Sequence, residues 1–99
     1  MAVLELSSFE MIEKVDHHGS HQCVLGFGDE YELSIISGDG AYGTKTAPYE
    51  IAVIKNGFFC RLPGITDDDD DVKGYLTEED VSAIIKKMYL ITGKTPEQL

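Results

Sequence analysis

Apolar positions recur at helical spacing in the last quarter of the chain, and this is the clearest pattern in the sequence. Successive members lie about one turn apart, which predicts an amphipathic α-helix. They are Val81, Ile84, Ile85, Met88 and Ile91. Thr77 suits the N-cap, with Asp80 as its capping-box partner. Leu76 and Val81 are placed as a hydrophobic staple, and Gly93 suits the C-terminal stop. We expect this helix to lie across a sheet.

An alternating pattern predicts a first hairpin within residues 22–37. Tyr31, Leu33 and Ile35 alternate with polar residues, as in a half-buried strand. Gly28 and Asp29 fit a two-residue turn with glycine first. The predicted register pairs Val24 with Leu33 and Gln22 with Ile35, and it turns Leu25 and Phe27 to the face of the glutamates.

A second hairpin is predicted in residues 49–62. Asn56-Gly57 suits the positive φ angles of a type I′ turn. The implied pairs are Ile54 with Phe59, Val53 with Cys60, and Ile51 with Leu62. One face, with Ile51, Val53, Cys60 and Leu62, then belongs to the core. The other face, with Ala52, Ile54, Phe59 and Arg61, is more apolar than solvent requires, so it is covered by the N-terminal segment or binds a partner.

The N-terminal pattern predicts a short helix over residues 8–15. Ser7 with Glu10 has the spacing of a capping box, and Leu6 with Met11 that of a staple. The whole chain, residues 1–99, is then a single α+β domain. We predict an antiparallel sheet of about four strands, built from two hairpins, with a C-terminal amphipathic helix packed on it and a short N-terminal helix.

Composition narrows the class of protein. The apolar fraction is 42%, ordinary for a globular domain. No apolar run approaches the length of a membrane span, and no signal peptide is visible. Cys23 and Cys60 are too few for a disulfide scaffold, so free thiols and a cytoplasmic location are expected.

The net charge of the chain indicates which class of partner to expect. Eighteen acidic and eight basic residues give a net charge of −10. Such a surface disfavours direct nucleic-acid binding, which requires basic patches, and attracts basic partners or cations. Solubility alone is the simpler explanation of this charge.

The stretch SGDGAYGTKT, residues 37–46, has glycines spaced as in a dinucleotide fingerprint and nearly as in a P-loop. Both sites need a helix directly after the glycines. Here a predicted strand follows, and Thr44 intrudes before Lys45. We therefore interpret the stretch as a connection between two strand pairs, with Tyr42 as a contact residue at its tip.

A histidine-rich stretch supplies the residue types of a zinc site. Its candidates are Asp16, His17, His18, His21 and Cys23, and Cys60 could join them if its strand lies close. The alternative is a polar loop with solvated histidines.

Residues 69–80 resemble an EF-hand calcium loop. The candidate ligands are Asp69, Asp71, Tyr75, Thr77 and Asp80, with Gly74 at the sharp turn. Lys73 departs from the pattern because it stands where an oxygen ligand belongs. Leu62-Pro63-Gly64 leaves no room for an entering helix. The alternatives are acids that favour the start of a helix and a solvated, mutually repelling loop.

The stretch YEIAVIKNGFFCRLPGITDDDDDVKGYLTEEDVSAIIKKM, residues 49–88, resembles the C-terminal half of small acidic accessory proteins of tailed bacteriophages. The shared order is hairpin, acidic loop, Gly-Tyr-Leu-Thr and amphipathic helix. Such proteins often bind and block host machinery, including proteins that handle nucleic acid, and some present carboxylates in place of DNA phosphates. The resemblance implies a viral antagonist in the host cytoplasm and no catalytic residue.

The leading hypothesis is a non-enzymatic protein that binds a basic surface of a host protein. The candidate contacts are Glu30, Glu32, Tyr42, Phe59, Asp67, Asp68, Asp69, Asp70, Asp71, Glu78 and Glu79. One alternative is a calcium-binding module. The other is a phage structural or assembly protein that forms a homodimer or larger assembly through its Ile54/Phe59 face.

Overall fold

The computed structural model describes residues 4–15, 19–67 and 69–99. A 3-10 turn, Leu6–Ser8, precedes the strands. The strands and helix are, in chain order, β1 (Ile12–Glu13), β2 (Ser20–Phe27), β3 (Tyr31–Gly38), β4 (Tyr49–Lys55), β5 (Phe58–Cys60), β6 (Val72–Leu76), α1 (Glu78–Thr92) and β7 (Glu97–Gln98). All the strand pairs are antiparallel. The α+β class is therefore confirmed, although the sheet is larger than the four strands predicted.

Three long strands form the centre of the sheet, and each outer edge of that centre is shared by two short strands. The order is β1-β2-β3-β4-β5, with β7 also on β2 and β6 also on β4. Two predicted hairpins thus become a sheet of up to seven strands, because segments outside the predicted hairpins, one of them assigned to the N-terminal helix, pair with them. Short edge strands leave little backbone unpaired for other chains.

Helix α1 covers one face of the sheet and creates the core. Its residues Val81, Ile84, Ile85 and Met88 are buried, as the helical spacing predicted. Ile91, assigned to the same apolar face, is 52% exposed. The sheet contributes Cys23, Leu25, Phe27, Leu33, Ile35, Ile51 and Val53. Within the described residues, no helix is long and apolar enough to cross a membrane.

The first hairpin was predicted in the wrong register. A three-residue turn separates Phe27 from Tyr31, with Gly28 at φ +73°, and Leu25 pairs with Leu33. A one-residue slip moves every side chain of a strand to the opposite face. The observed register brings Leu25 and Phe27 into the core, and this burial outweighs the local preference for a two-residue turn.

The second hairpin confirms the sequence prediction at its turn. Asn56 and Gly57 have φ of +51° and +85°, and Ile54 pairs with Phe59. The prediction fails farther along, because β5 ends at Cys60 and Ile51 pairs with Lys73 of β6.

The predicted helix over residues 8–15 does not form. The segment beyond Phe9 is extended and joins the sheet as β1, where Ile12 pairs with Gln22. The predicted capping box is replaced by a bond from the Glu10 N–H to Gln98 Oε1 (2.9 Å). An isolated helix of two turns is marginal, so tertiary pairing decides the conformation.

Candidate protein-binding surface

The acidic run lies on a loop that leaves and rejoins the same edge of β4. We call residues 61–71 the edge loop. The chain leaves at Cys60, opposite Val53, and returns at Val72, opposite the adjacent Ala52. The two ends of the loop therefore lie close together, as in an Ω-loop. An ion pair from Arg61 Nε to Asp71 Oδ1 (3.0 Å) closes its neck.

The first half of the edge loop is packed onto the core. Ile65 is 1% exposed, and Leu62 O accepts the N–H groups of Ile65 (3.0 Å) and Thr66 (2.9 Å). Thr66 Oγ1 accepts the Leu62 N–H (2.9 Å), and Lys87 Nζ donates to Gly64 O (2.9 Å). These contacts give the second half a fixed base.

In the second half, the described aspartates Asp67, Asp69 and Asp70 are exposed to solvent. Asp67 forms a long ion pair with Lys73 (3.8 Å), and Asp70 Oδ1 accepts the Val72 N–H (3.2 Å). Asp68 lies outside the described residues. Exposed pairs such as these contribute little to stability, so the loop remains strongly acidic at its surface.

The proposed calcium ligands do not surround a common point. Residues 72–76 form the extended strand β6, which separates Asp71 from Thr77 by roughly 15–20 Å of chain. No group of three or more acidic, histidine or cysteine side chains within the described residues is arranged to hold a metal ion. The alignment with an EF-hand loop fails because Gly74 and Tyr75 lie in a bulged strand, not a tight turn.

Thr77 and Asp80 form the capping box that the sequence also predicted. The Asp80 N–H donates to Thr77 Oγ1 (3.1 Å), and the Thr77 N–H donates to Asp80 Oδ2 (3.0 Å). The bonds from Thr77 lower the pKa of the Asp80 carboxyl. This carboxylate therefore stabilises the start of α1.

No described helix packs on the face of the sheet opposite α1, and we call it the open face, although Gly26, Glu50 and Ala52 on it are buried. Register places three cross-strand rows on it. They are Ile12, Gln22, Ile36 and Glu50; then Val24, Ser34, Ala52 and Val72; then Gly26, Glu32, Ile54 and Phe59. The Leu99 side chain extends this face, because it lies where a Cβ on Gly26 would point (3.2 Å). The described N-terminal segment does not cover it, since Leu6 packs beside α1 and its N–H donates to Ser82 Oγ (3.0 Å).

The predicted contacts fall into separate groups. Glu32 and Phe59 share one row of the open face, on either side of Ile54. The Glu30 carboxylate instead pairs with Lys55 (3.3 Å) beyond the end of that row. Glu78 and Glu79 lie on the helix side, where they line a groove of about 330 Å³ together with Glu5.

Tyr42 is fixed by its backbone, a feature that the sequence analysis missed. Its N–H donates to Glu50 Oε1 (2.9 Å), and its carbonyl accepts the Tyr75 N–H (2.8 Å). A Cβ on Gly74 would lie 2.5 Å from Tyr42 Cβ, so only glycine permits this approach. The buried carboxylate of Glu50 and the ring of Tyr42, 59% exposed, mark one corner of the open face.

Among the residues that the structure describes, the candidate zinc ligands do not come together at one point. His17 and His18, with Asp16, lie outside the described residues. Cys23 is buried on β2, and burial raises the pKa of its thiol to about 11. Cys60 lies on β5, three strand spacings or about 14 Å away, so it cannot join Cys23 at one metal ion.

Comparison with protein-family models, with curated proteins and with solved structures gives no match. The surface is therefore interpreted from its own chemistry. It combines a partly apolar sheet face with an acidic loop at its border.

Proposed function

We propose that this chain is a non-enzymatic binding protein that engages a basic surface of a host protein. One observation carries the proposal: the aspartates of the edge loop project from a packed base instead of a free coil. A fixed acidic loop attracts a basic partner at low cost in loop ordering. The adjoining Phe59, 63% exposed, supplies an apolar anchor.

The net charge supports the same partner class. At −10 the chain repels nucleic acid and draws basic proteins to it over a Debye length. A nucleic-acid-binding surface of a host protein is the natural target, because its basic patch is shaped for phosphates. The chain then acts in the host cytoplasm as an antagonist that takes the place of the nucleic acid.

Capture from bacterial lysate on the immobilised chain tests the proposal. We expect basic proteins to be retained at about 0.05 M salt and released near 0.5 M, because screening weakens exposed charge pairs. The double variant Asp69→Asn/Asp70→Asn is expected to lower retention roughly tenfold, as loss of about 1.4 kcal/mol does. Both substitutions keep the side-chain shape.

The matched control is Glu78→Gln/Glu79→Gln, which removes the same charge on the helix side. We expect it to change retention by less than about twofold. Equal losses for the two variants would show that only net charge matters. Two results would reject the proposal. One is retention that does not depend on the salt concentration, and the other is that neither variant retains a basic protein.

Self-association is a second candidate, favoured by the exposed Phe59 beside the half-buried Ile54. A phage assembly protein that uses this face forms stable oligomers. Sedimentation at high protein concentration decides the point, and a monomer there removes this candidate.

A further inference from the structure

The charges on the open face have one dominant sign. Two acidic residues, Glu32 and Glu50, belong to the cross-strand rows of this face. A third, Glu97 of β7, lies opposite Gly26. Of the bases at its border, Arg61 is paired with Asp71, and Lys14 lines the groove beside Ile12. Around these acids lie aliphatic side chains, so the face combines apolar surface with negative potential. A complementary partner is apolar and positively charged.

The dimensions of the open face fit a helix. Five strands and three rows span roughly 24 Å by 20 Å. A four-turn helix is about 22 Å long. The opposite face of the same sheet already accepts a helix of 15 residues, α1. Near the centre of the face Ser34 is small and half-buried, which allows close approach of a rod, whereas Gly26 lies under the Leu99 side chain.

Other occupants fit less well. The outer edges of β2 and β4 are already paired with β1, β7, β5 and β6, so little edge remains for an added strand. A second copy stacked face to face would bring Glu32 and Glu97 against the same acids of its partner. Two chains of net charge −10 also repel each other.

The two ends of the open face differ in a way that orients a partner. At the β1 and β7 end, a groove of about 440 Å³ is lined by the apolar Ile12, Val24 and Leu99 and also by Glu13 and Lys14, and it is large enough for apolar side chains. Toward the β5 end, Glu32 and Phe59 lie on either side of Ile54, and the edge loop lies beyond. Apolar anchors therefore suit the groove, and lysine or arginine suits Glu32 and the edge loop.

We propose that the open face is the docking site for a cationic amphipathic helix of the partner protein, which completes a three-layer arrangement around the sheet. The inference rests on the proposed function and names the part of the partner that is recognised. The apolar side of the docked helix faces Val24, Ala52 and Ile54, and the basic residues of that helix reach Glu32 and the edge loop.

A helical peptide of leucine and lysine, roughly fourteen residues with all leucines on one side, is the probe. Its binding is followed by amide shifts in NMR spectra of the full chain. We expect the largest shifts at Val24, Ser34, Ala52 and Ile54. A leucine–glutamate peptide of the same pattern is expected not to bind. Shifts confined to α1 or to the edge loop would overturn the inference.

Charge reversal separates a specific site from general attraction. Glu32→Lys is expected to weaken peptide binding at least tenfold, and Glu5→Lys, with the same charge change on the helix side, less than about threefold. Equal weakening would overturn the inference. If the amide shifts of open-face residues changed on dilution without peptide, self-association would replace this inference.

The peptide experiment and the lysate experiment test different claims, so one can fail while the other succeeds. Capture that depends on Asp69 and Asp70, with no peptide shifts on the open face, would retain the acidic binding protein and reject the helix site. Peptide bound at the open face, with no basic protein captured, would reject the host partner. Neither result depends on an unfolded variant, because all substitutions are at exposed or half-exposed positions.

Discussion

Several residues that resemble metal ligands stabilise the fold of this chain. Thr77 and Asp80 cap α1, and Asp71 closes the edge loop by pairing with Arg61. The backbone N–H of Tyr75 donates to the Tyr42 carbonyl. Oxygen-bearing side chains suit the cap and the ion pair as well as a cation site, so residue type alone does not separate these roles. Backbone conformation separates them, because the extended strand β6 stands between Asp71 and Thr77.

The cap predicts a pH dependence. The pKa of Asp80 is lowered in the folded chain from its ordinary 3.8, so its stabilisation is present above that value and is lost as the pH falls through the lowered pKa. Asp80→Asn should therefore lower the melting temperature at pH 7, and this difference should disappear in strong acid. Thermal melts across that range measure it.

Glu79→Gln is the control, because Glu79 lies in the same first turn without a capping bond. It should show a smaller difference that also fades in acid. A constant gap between Asp80→Asn and the unchanged chain at every pH would contradict the role of the charge.

Whole elements were predictable where local chemistry decides them. The period of α1, its cap and its stop agree with the structure, and Asn56-Gly57 fixes its turn. The N-terminal helix and the first register were wrong because both depend on contacts distant in sequence. The pairing of β1 with β2 and the burial of Phe27 are decided by the whole sheet.

The candidate surface was predictable in part for the same reason. Glu32 and Phe59 were named from the sequence, yet their shared row follows from the register of β3, β4 and β5. The packed base of the edge loop depends on Ile65, whose burial has no local periodic signal. An isolated isoleucine between Gly64 and Thr66 was the single clue.

One side chain joins the two ends of the described chain at the edge of the sheet. Gln98 Nε2 donates to Glu10 O (2.7 Å), and its Oε1 accepts the Glu10 N–H (2.9 Å). Gln98→Ala should cost about 1 kcal/mol of unfolding free energy, because both bonds are exposed to water. Urea denaturation measures this loss.

Gln98→Glu keeps the acceptor and removes the donor, so an intermediate loss is expected. Hydrogen exchange of the Glu10 amide should accelerate in Gln98→Ala and less in Gln98→Glu. Unchanged exchange in both variants would mean that this clamp does not hold the N-terminal segment.

For the whole molecule, charge opposes the compact state that the sheet and helix create. Ten excess negative charges repel one another around the one core between the sheet and α1. Screening by salt reduces this repulsion. The same charge that selects a basic partner in our proposal therefore lowers the stability of the free chain.

Salt should consequently raise the melting temperature between about 0.02 M and 0.5 M. Asp69→Asn should raise it by roughly 2 °C at low salt and by less at high salt. Lys45→Gln, also exposed, changes charge in the opposite direction and should lower it. A melting temperature independent of salt in all three chains would show that repulsion is negligible.

The neck of the edge loop has a consequence for how this protein can change over generations. Since Cys60 and Val72 face adjacent residues of β4, the acidic half can gain or lose residues without altering the strands on either side. The half that contains Ile65 does not share this freedom, because it fills the core. Descendants of this chain can therefore diversify the aspartate tract, and with it the target that we propose for it, while the strands and the packed half of the loop stay unchanged.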